Sequence, residues 1–133
     1  MERRSRAREV ALQALFQEDL NPRESVDQLA PFVESRIKDQ SLRTFAIGLV
    51  QGVKRNLKEL DELLEEKAEN WSLARMAATD RNVLRLGAFE IRYGDTPDRV
   101  AIDEAVDLAK RFGSANSSQF VNGILDKLLL HDD

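Results

Sequence analysis

Apolar residues recur at intervals of three and four along most of the chain, the spacing that places side chains on one face of an α-helix. The pattern is clearest towards the C-terminus. Residues 80–93 carry Val83, Leu84, Leu86, Gly87, Phe89, Ile91 and Tyr93. Residues 99–112 carry Val100, Ile102, Ala105, Val106, Ala109 and Phe112, and residues 117–129 carry Phe120, Val121, Ile124, Leu125 and Leu128. Three adjacent amphipathic helices with short connectors predict a bundle. Upstream, Val10, Ala11, Ala14 and Leu15 mark a first helix that begins at Ala7 and fades near Leu20. Residues 41–55 form another, with Leu42, Phe45, Ala46, Leu49, Val50 and Val53 on its apolar face. Gly48 and Gly52, four apart on it, predict close approach of a neighbouring helix.

Polar punctuation sets the expected boundaries. Asn21-Pro22-Arg23-Glu24 reads as a capped start for a second helix on Val26, Leu29, Phe32, Val33 and Ile37, which Pro31 should break or kink. Asn56 with Glu59 reads as a capping box for a helix on Leu57, Leu60, Leu63 and Leu64, and Asn116 with Gln119 as one for the last helix. Residues 72–78 look like a connector or a single turn, after which Thr79 or Asp80 can cap. Gly94 and Gly113 suit helix C-termini. Trp71, the single tryptophan, is expected to anchor the joint between the two halves of the chain.

Composition narrows the class. The chain has 133 residues, 33% of them charged and 6% aromatic, with only 6 Gly and 3 Pro. That is enough for one domain with a real core, and it suits an all-α protein. Cysteine is absent, which excludes disulfides and thiolate metal sites. No apolar run reaches about 18 residues, so no membrane span is expected, and the arginine-rich start lacks the apolar stretch of a secretory signal. A cytoplasmic location follows as the default. The net charge of −4 means that any nucleic-acid binding must come from a local patch.

Two such patches stand out. Arg3, Arg4, Arg6 and Arg8 open the chain against one acid, Glu2. Positive charge there opposes the helix macrodipole, and the arm reads either as a solvated end or as a phosphate-binding segment. Phe16, two turns past Arg8, is either core or an exposed ring on which a base could stack. The helix after Asn56 has an acidic outer face that includes Glu59, Glu62 and Glu66, read either as a solvated face or as a dock for a basic partner. Signals for catalysis are weak. His131 lies at the very end of the chain, no cluster has metal-ligand spacing, there is no phosphate loop, and no serine has a histidine partner. Glu90, Asp103, Glu104 and Asp107 could supply an acid/base pair. Glu90, beside an apolar stripe, reads more readily as paired to Arg85 or Arg92 or as a buried link between helices. A binding module without metal or cofactor is expected.

Four segments carry a resemblance. Arg6-Ala7-Arg8-Glu9 with Ala11-Leu12-Gln13-Ala14-Leu15-Phe16 resembles the N-terminal signature of bacterial NusB-type transcription antitermination factors. So do Asp80-Arg81-Asn82-Val83-Leu84-Arg85-Leu86 with Phe89-Glu90, the run from Val100 to Lys110, and Phe120-Val121-Asn122-Gly123-Ile124-Leu125-Asp126. The segment between Asn21 and Gln40 carries little of it. The resemblance implies an all-α fold of about seven helices, arranged as two small three-helix-type bundles packed across each other, roughly residues 1–55 and 56–133 of one domain. It implies binding of boxA-type single-stranded RNA of ribosomal RNA operons together with NusE, a small-subunit ribosomal protein. It also implies action on the RNA polymerase elongation complex through other Nus factors. A similar domain occurs fused to ribosomal RNA cytosine methyltransferases; a chain ending at Asp133 favours the free-standing factor. Carried over residue by residue, the RNA surface would use Arg4, Arg6 and Arg8 on phosphates, with Gln13, Phe16, Phe112, Asn116, Gln119 and Phe120. Phe16 stands where the family usually has tyrosine, and Asn116 where members often have an acid. The protein-binding surface would use Asp80 and Arg81, bordered by Glu62 and Glu66.

Two other readings compete: a helical protein–protein adapter whose arginines never touch RNA, and an enzyme using buried carboxylates. An exposed Phe16 beside the three arginines and the 112–120 connector favours RNA. A buried Phe16 with arginines paired to acids favours the adapter. If the arm binds phosphates, replacing Arg6 and Arg8 with alanine weakens RNA binding and leaves the fold intact.

Overall fold

The computed structural model describes residues 3–20 and 28–129. Among these the chain forms seven α-helices and one short 3₁₀ turn, with no strand. The helices are α1 (Arg4–Leu20), α2 (Leu29–Arg36), α3 (Gln40–Arg55), α4 (Leu57–Lys67), α5 (Ala78–Tyr93), α6 (Asp98–Phe112) and α7 (Ser117–Lys127). Helices α1 to α3 pack together, α4 to α7 pack together, and α1 and α3 lie against α5 where the two groups cross. The main core runs without interruption from Leu15 and Val53 through Leu64, Leu84 and Ile102 to Leu125. A smaller cluster of Ala7, Val10, Val33, Ile37 and Ala46 ties α2 to α1 and α3.

The local chemistry differs from the sequence expectation at several ends. The proposed Asn21 cap and Val26 lie outside the described residues, as does His131. Pro31 is the third residue of α2, within the first turn, where the missing N–H has no intrahelical partner to lose, so it neither breaks nor kinks the helix. Asn56 does not cap α4. Its amide turns back to donate to the Gly52 carbonyl (2.8 Å) and closes the end of α3. Asn116 makes no side-chain cap either; the Ser117 hydroxyl accepts from the Ser114 N–H (2.9 Å) instead. Neither Thr79 nor Asp80 caps α5, which starts one or two residues earlier. The one side-chain cap formed on α3 comes from Asp39, whose carboxylate accepts from the Ser41 and Leu42 N–H groups and the Ser41 hydroxyl. These bonds hold its carboxyl below the usual range. Asn70 takes a left-handed conformation (φ 67°) that reverses the chain after α4. Trp71 then anchors nothing central. It is 53% exposed and meets Phe120 edge-to-face, with ring centroids 5.4 Å apart.

The two glycines of α3 separate cleanly. Gly52 is buried against α5, and a Cβ there would collide with the outer edge of the Phe89 ring. Gly48 is exposed with nothing near it. Gly48→Ala should therefore gain helix propensity, about 0.5–1 kcal/mol. Gly52→Ala should lose more by displacing the ring than it gains, for a net cost of about 1–2 kcal/mol. Urea unfolding of the two variants checks the opposite signs; a stabilised Gly52→Ala would show that the ring gives way freely.

Candidate nucleic-acid interface

The geometry of α1 decides which arginines can act together. Successive residues turn by about 100° around a helix, so residues two apart face nearly opposite directions while residues four apart share a face. Arg4 and Arg8 therefore point one way and Arg6 another. Arg8 points inward and is 3% exposed. Its Nε and Nη2 donate to the two oxygens of Glu90 (2.7 and 2.8 Å), Nη1 donates to Glu104 (3.0 Å), and Nη2 also meets the Thr96 hydroxyl (3.3 Å). Burial works against this charge, but the Glu90 and Glu104 bonds more than offset it and raise the guanidinium above its ordinary range. Arg8 is thus a clamp between α1, α5 and α6 and is withdrawn from the expected phosphate set. Glu90, read from the sequence as paired to Arg85 or Arg92 or as a buried link between helices, is the buried link. Arg85 instead binds Asp61 (2.8 and 2.9 Å).

Glu90 and Glu104 also answer the enzyme reading. Both oxygens of Glu90 and one of Glu104 are taken by Arg8, Thr96 and Ser5. The Ser5 hydroxyl donates to Glu104, so α6 supplies the negative charge that the first turn of α1 lacks. Arg4 is exposed, lies over the Phe45 ring (4.3 Å) and faces Asp95 (3.7 Å), on the side of α1 away from Arg6.

The outward stripe of α1 is Arg6, Glu9, Gln13, Phe16 and Gln17. Arg6 donates to Glu9 (2.6 Å), and Glu9 also accepts from Arg111 at the end of α6 (2.6 Å). Two guanidiniums thus share one carboxylate across two helices, and Arg111 also faces Asp107 (3.6 Å) within α6. Next along the stripe, Leu12, Gln13, Phe16 and Gln17 meet Phe32 and Arg36 of α2, Thr79 of α5 and Phe112 of α6 around an open groove of about 380 Å³. Phe16 is half-buried and Phe112 is 42% exposed. The groove therefore combines three aromatic rings, two glutamine amides and flanking arginines. Arg36 lies over the Phe32 ring (4.1 Å) and Arg111 over the Phe112 ring (4.9 Å).

The remaining expected residues fall on a second site that adjoins the first at the start of α5. Asp80 follows Thr79 in sequence but opens into a separate groove with Trp71, Arg75, Asn116, Ser117 and Phe120. Its Oδ1 is buried and has no hydrogen-bond donor. Gln119 faces the other side of the Trp71–Phe120 pair, towards Lys67 and Lys127. The structure thus brings together Arg6, Gln13, Phe16 and Phe112, and separately Asp80, Asn116 and Phe120. Arg81 is spent inside the fold: it donates to Asp19 (3.0 and 3.1 Å) and to the Leu73 and Met76 carbonyls (3.0 and 3.3 Å). Glu62 and Glu66 are exposed on α4. Sequence reasoning missed Arg36, Arg111 and Phe32. Lys110 and Arg111, in the last turn of α6 beside Phe112, were a readable signal; nothing local marked α2.

Known proteins align along nearly the whole chain. The family model described as the NusB family matches residues 5–129. A transcription antitermination protein NusB of Desulfatibacillum aliphaticivorans is 43% identical, covering 98% of this chain and 92% of that protein. A NusB of Anaeromyxobacter dehalogenans is 46% identical, covering 95% and 89%. The solved structure of T. maritima NusB superposes with a TM-score of 0.87 at 37% identity, covering 98% of this chain and 92% of that one. A structure of antitermination factors NusB and NusE in complex with dsRNA superposes with a TM-score of 0.85 at 28% identity, covering 94% of each chain.

Proposed function

The chain belongs to the NusB family, and from that premise we propose that it binds boxA-type single-stranded RNA of ribosomal RNA operons jointly with NusE. It is a transcription antitermination factor, not an enzyme. The observation that carries the RNA reading is the groove beside α1. Half-exposed Phe16 and Phe112 offer faces for unpaired bases, Gln13 offers an amide for a base edge, and Arg6 and Arg111 supply cations at one end. The cations matter because the chain as a whole is negative, so RNA affinity must be local and salt-sensitive. Arg4 sits on another face and would serve a strand that wraps the start of α1. Asn116, Gln119 and Phe120 lie along its continuation past Trp71.

NusE is assigned to the exposed acids Glu62 and Glu66 and to Asp80, whose groove, shared with Asn116 and Phe120, would be where protein and RNA meet. Exposed acids of this kind suit a basic partner surface. Two adjacent sites on one rigid fold let RNA and protein bind as a linked pair, each raising the effective concentration of the other. The joint complex then acts in the cytoplasm on elongating RNA polymerase, through other Nus factors. The pairing of Arg4 with Asp95, Arg6 with Glu9 and Arg8 with Glu90 favours the adapter reading, whereas the half-buried Phe16 on an open groove favours RNA.

The test is RNA binding by the chain with and without NusE, using a boxA-like strand and a scrambled one at two salt concentrations. A preference for the boxA-like strand, strengthened by NusE and weakened by salt, is expected. Equal binding of both strands in every condition would leave the adapter standing.

A further inference from the structure

We propose that α2 supplies a further part of the RNA site: Phe32 and Arg36 form, with Phe16 and Phe112, a pocket for one unpaired nucleobase, with Arg36 on that nucleotide's phosphate. The inference rests on the RNA-binding reading above and adds a recognition element to it.

The first support is placement. α2 forms part of the wall of the open groove of about 380 Å³, so its Phe32 ring and those of α1 and α6 line a common space. Gln13, Gln17 and Thr79 bring hydrogen-bonding groups to the same space, where a base edge needs donors and acceptors. The second support is charge. Arg6 and Arg111 share Glu9, Arg4 faces Asp95, and Arg8 is buried on Glu90. Arg36 donates to the Ser35 hydroxyl (2.7 Å), and among the described residues no carboxylate pairs with it. Its cation is therefore not neutralised within the described fold, on a chain that is otherwise acidic. The third is orientation. The guanidinium sits over the Phe32 ring at 4.1 Å, which holds it at the groove while the residue stays exposed to an incoming anion.

The occupant follows from this combination. An acidic peptide could use Arg36 but would leave the aromatic enclosure without a partner. A nucleotide carries a flat π-face and an anion on one unit, which the rings and the guanidinium match together. Aromatic stacking of this kind accepts any base, so the pocket contributes affinity, and the neighbouring amides contribute preference.

The experiment is anisotropy titration of the full chain with NusE against a boxA-like strand in which one base at a time is replaced by an abasic site, leaving every phosphate in place. Phe32→Leu should weaken the intact strand about 5- to 20-fold and have no further effect on the strand abasic at one particular position. Arg36→Gln should reduce the salt slope by about one, while Arg36→Lys keeps the slope and loses part of the affinity. Phe32 touches both cores, so its variant is checked by thermal melting; exposed Arg36 keeps the test decisive if that variant unfolds. Unchanged binding by the Arg36 variants, with the unmodified protein still preferring the boxA-like strand, overturns the pocket and leaves the RNA reading intact. No preference by the unmodified protein takes down both. A flat abasic series, with Arg36→Gln weakening NusE binding in the absence of RNA, makes α2 a protein contact and overturns the nucleobase assignment.

Discussion

Glu90→Ala is expected to destabilise the protein by about 3–5 kcal/mol, a large part of the total stability of a domain this size. The reason is the state in which it leaves Arg8. With Glu90 gone, a 3% exposed guanidinium keeps its bond to Glu104 and a longer one to Thr96 and loses its two shortest bonds. An uncompensated buried charge costs far more than the intact pair contributes. The double change Arg8→Met with Glu90→Leu should therefore recover most of the loss, because it removes both charges and restores apolar packing. Urea denaturation followed by circular dichroism distinguishes the three proteins. If the double variant is no more stable than Glu90→Ala, the clamp is not an isolated buried pair. Because the Arg8 pKa is raised in the fold, its contribution is fully present below the ordinary arginine value and is lost only as pH rises through the higher folded value. The clamp is thus insensitive to alkali across the neutral range.

The second large effect concerns RNA. Phe112→Ala should weaken binding of a boxA-like strand by about 10-fold, within the range for loss of one base–aromatic stack. It should barely move the melting temperature, since the ring is 42% exposed and lies outside the buried core. Phe112→Trp should restore binding. Phe16→Ala should lose comparable affinity with an added stability cost, because that ring is half-buried. Isothermal titration with melting curves separates the two residues. Full affinity in Phe112→Ala would remove the α6 end from the site. The same logic revises the expectation for the arginine arm. Arg6→Ala alone reports on phosphate contact, whereas any variant lacking Arg8 reports chiefly on folding.

The helices themselves were legible because periodicity is a local property. The apolar faces of α3, α5, α6 and α7 fall mostly on the residues named from spacing, with Tyr93, Val100 and Phe112 exposed instead, and the boundaries differ by only one or two residues. Caps were less legible because several polar side chains compete for the same backbone groups. Asn56 and Asn116 have the right side chains, yet the Gly52 carbonyl and Ser117 offer alternatives within one turn. Pro31 was misread because its meaning depends on its distance from a helix start that the pattern does not fix. The site was half legible. That Arg6 and Arg8 diverge could be read from the turn of a helix, but that Arg8 meets Glu90 could not, since they lie 82 residues apart. Arg36 and Phe32 became part of the groove only once α2 was laid against α1.

The span of the Arg8 clamp also orders events on the ribosome. The first helix is synthesised with its arginine unmatched, and its partners arrive 82 and 96 residues later. Contacts so distant in sequence form late and slow the search for the native state. Until α6 has left the exit tunnel, α1 has nowhere to bury that charge, and the groove that α1 lines lacks its α6 wall. A nascent chain that has not yet released α6 therefore lacks the completed groove, and any binding there waits on that helix.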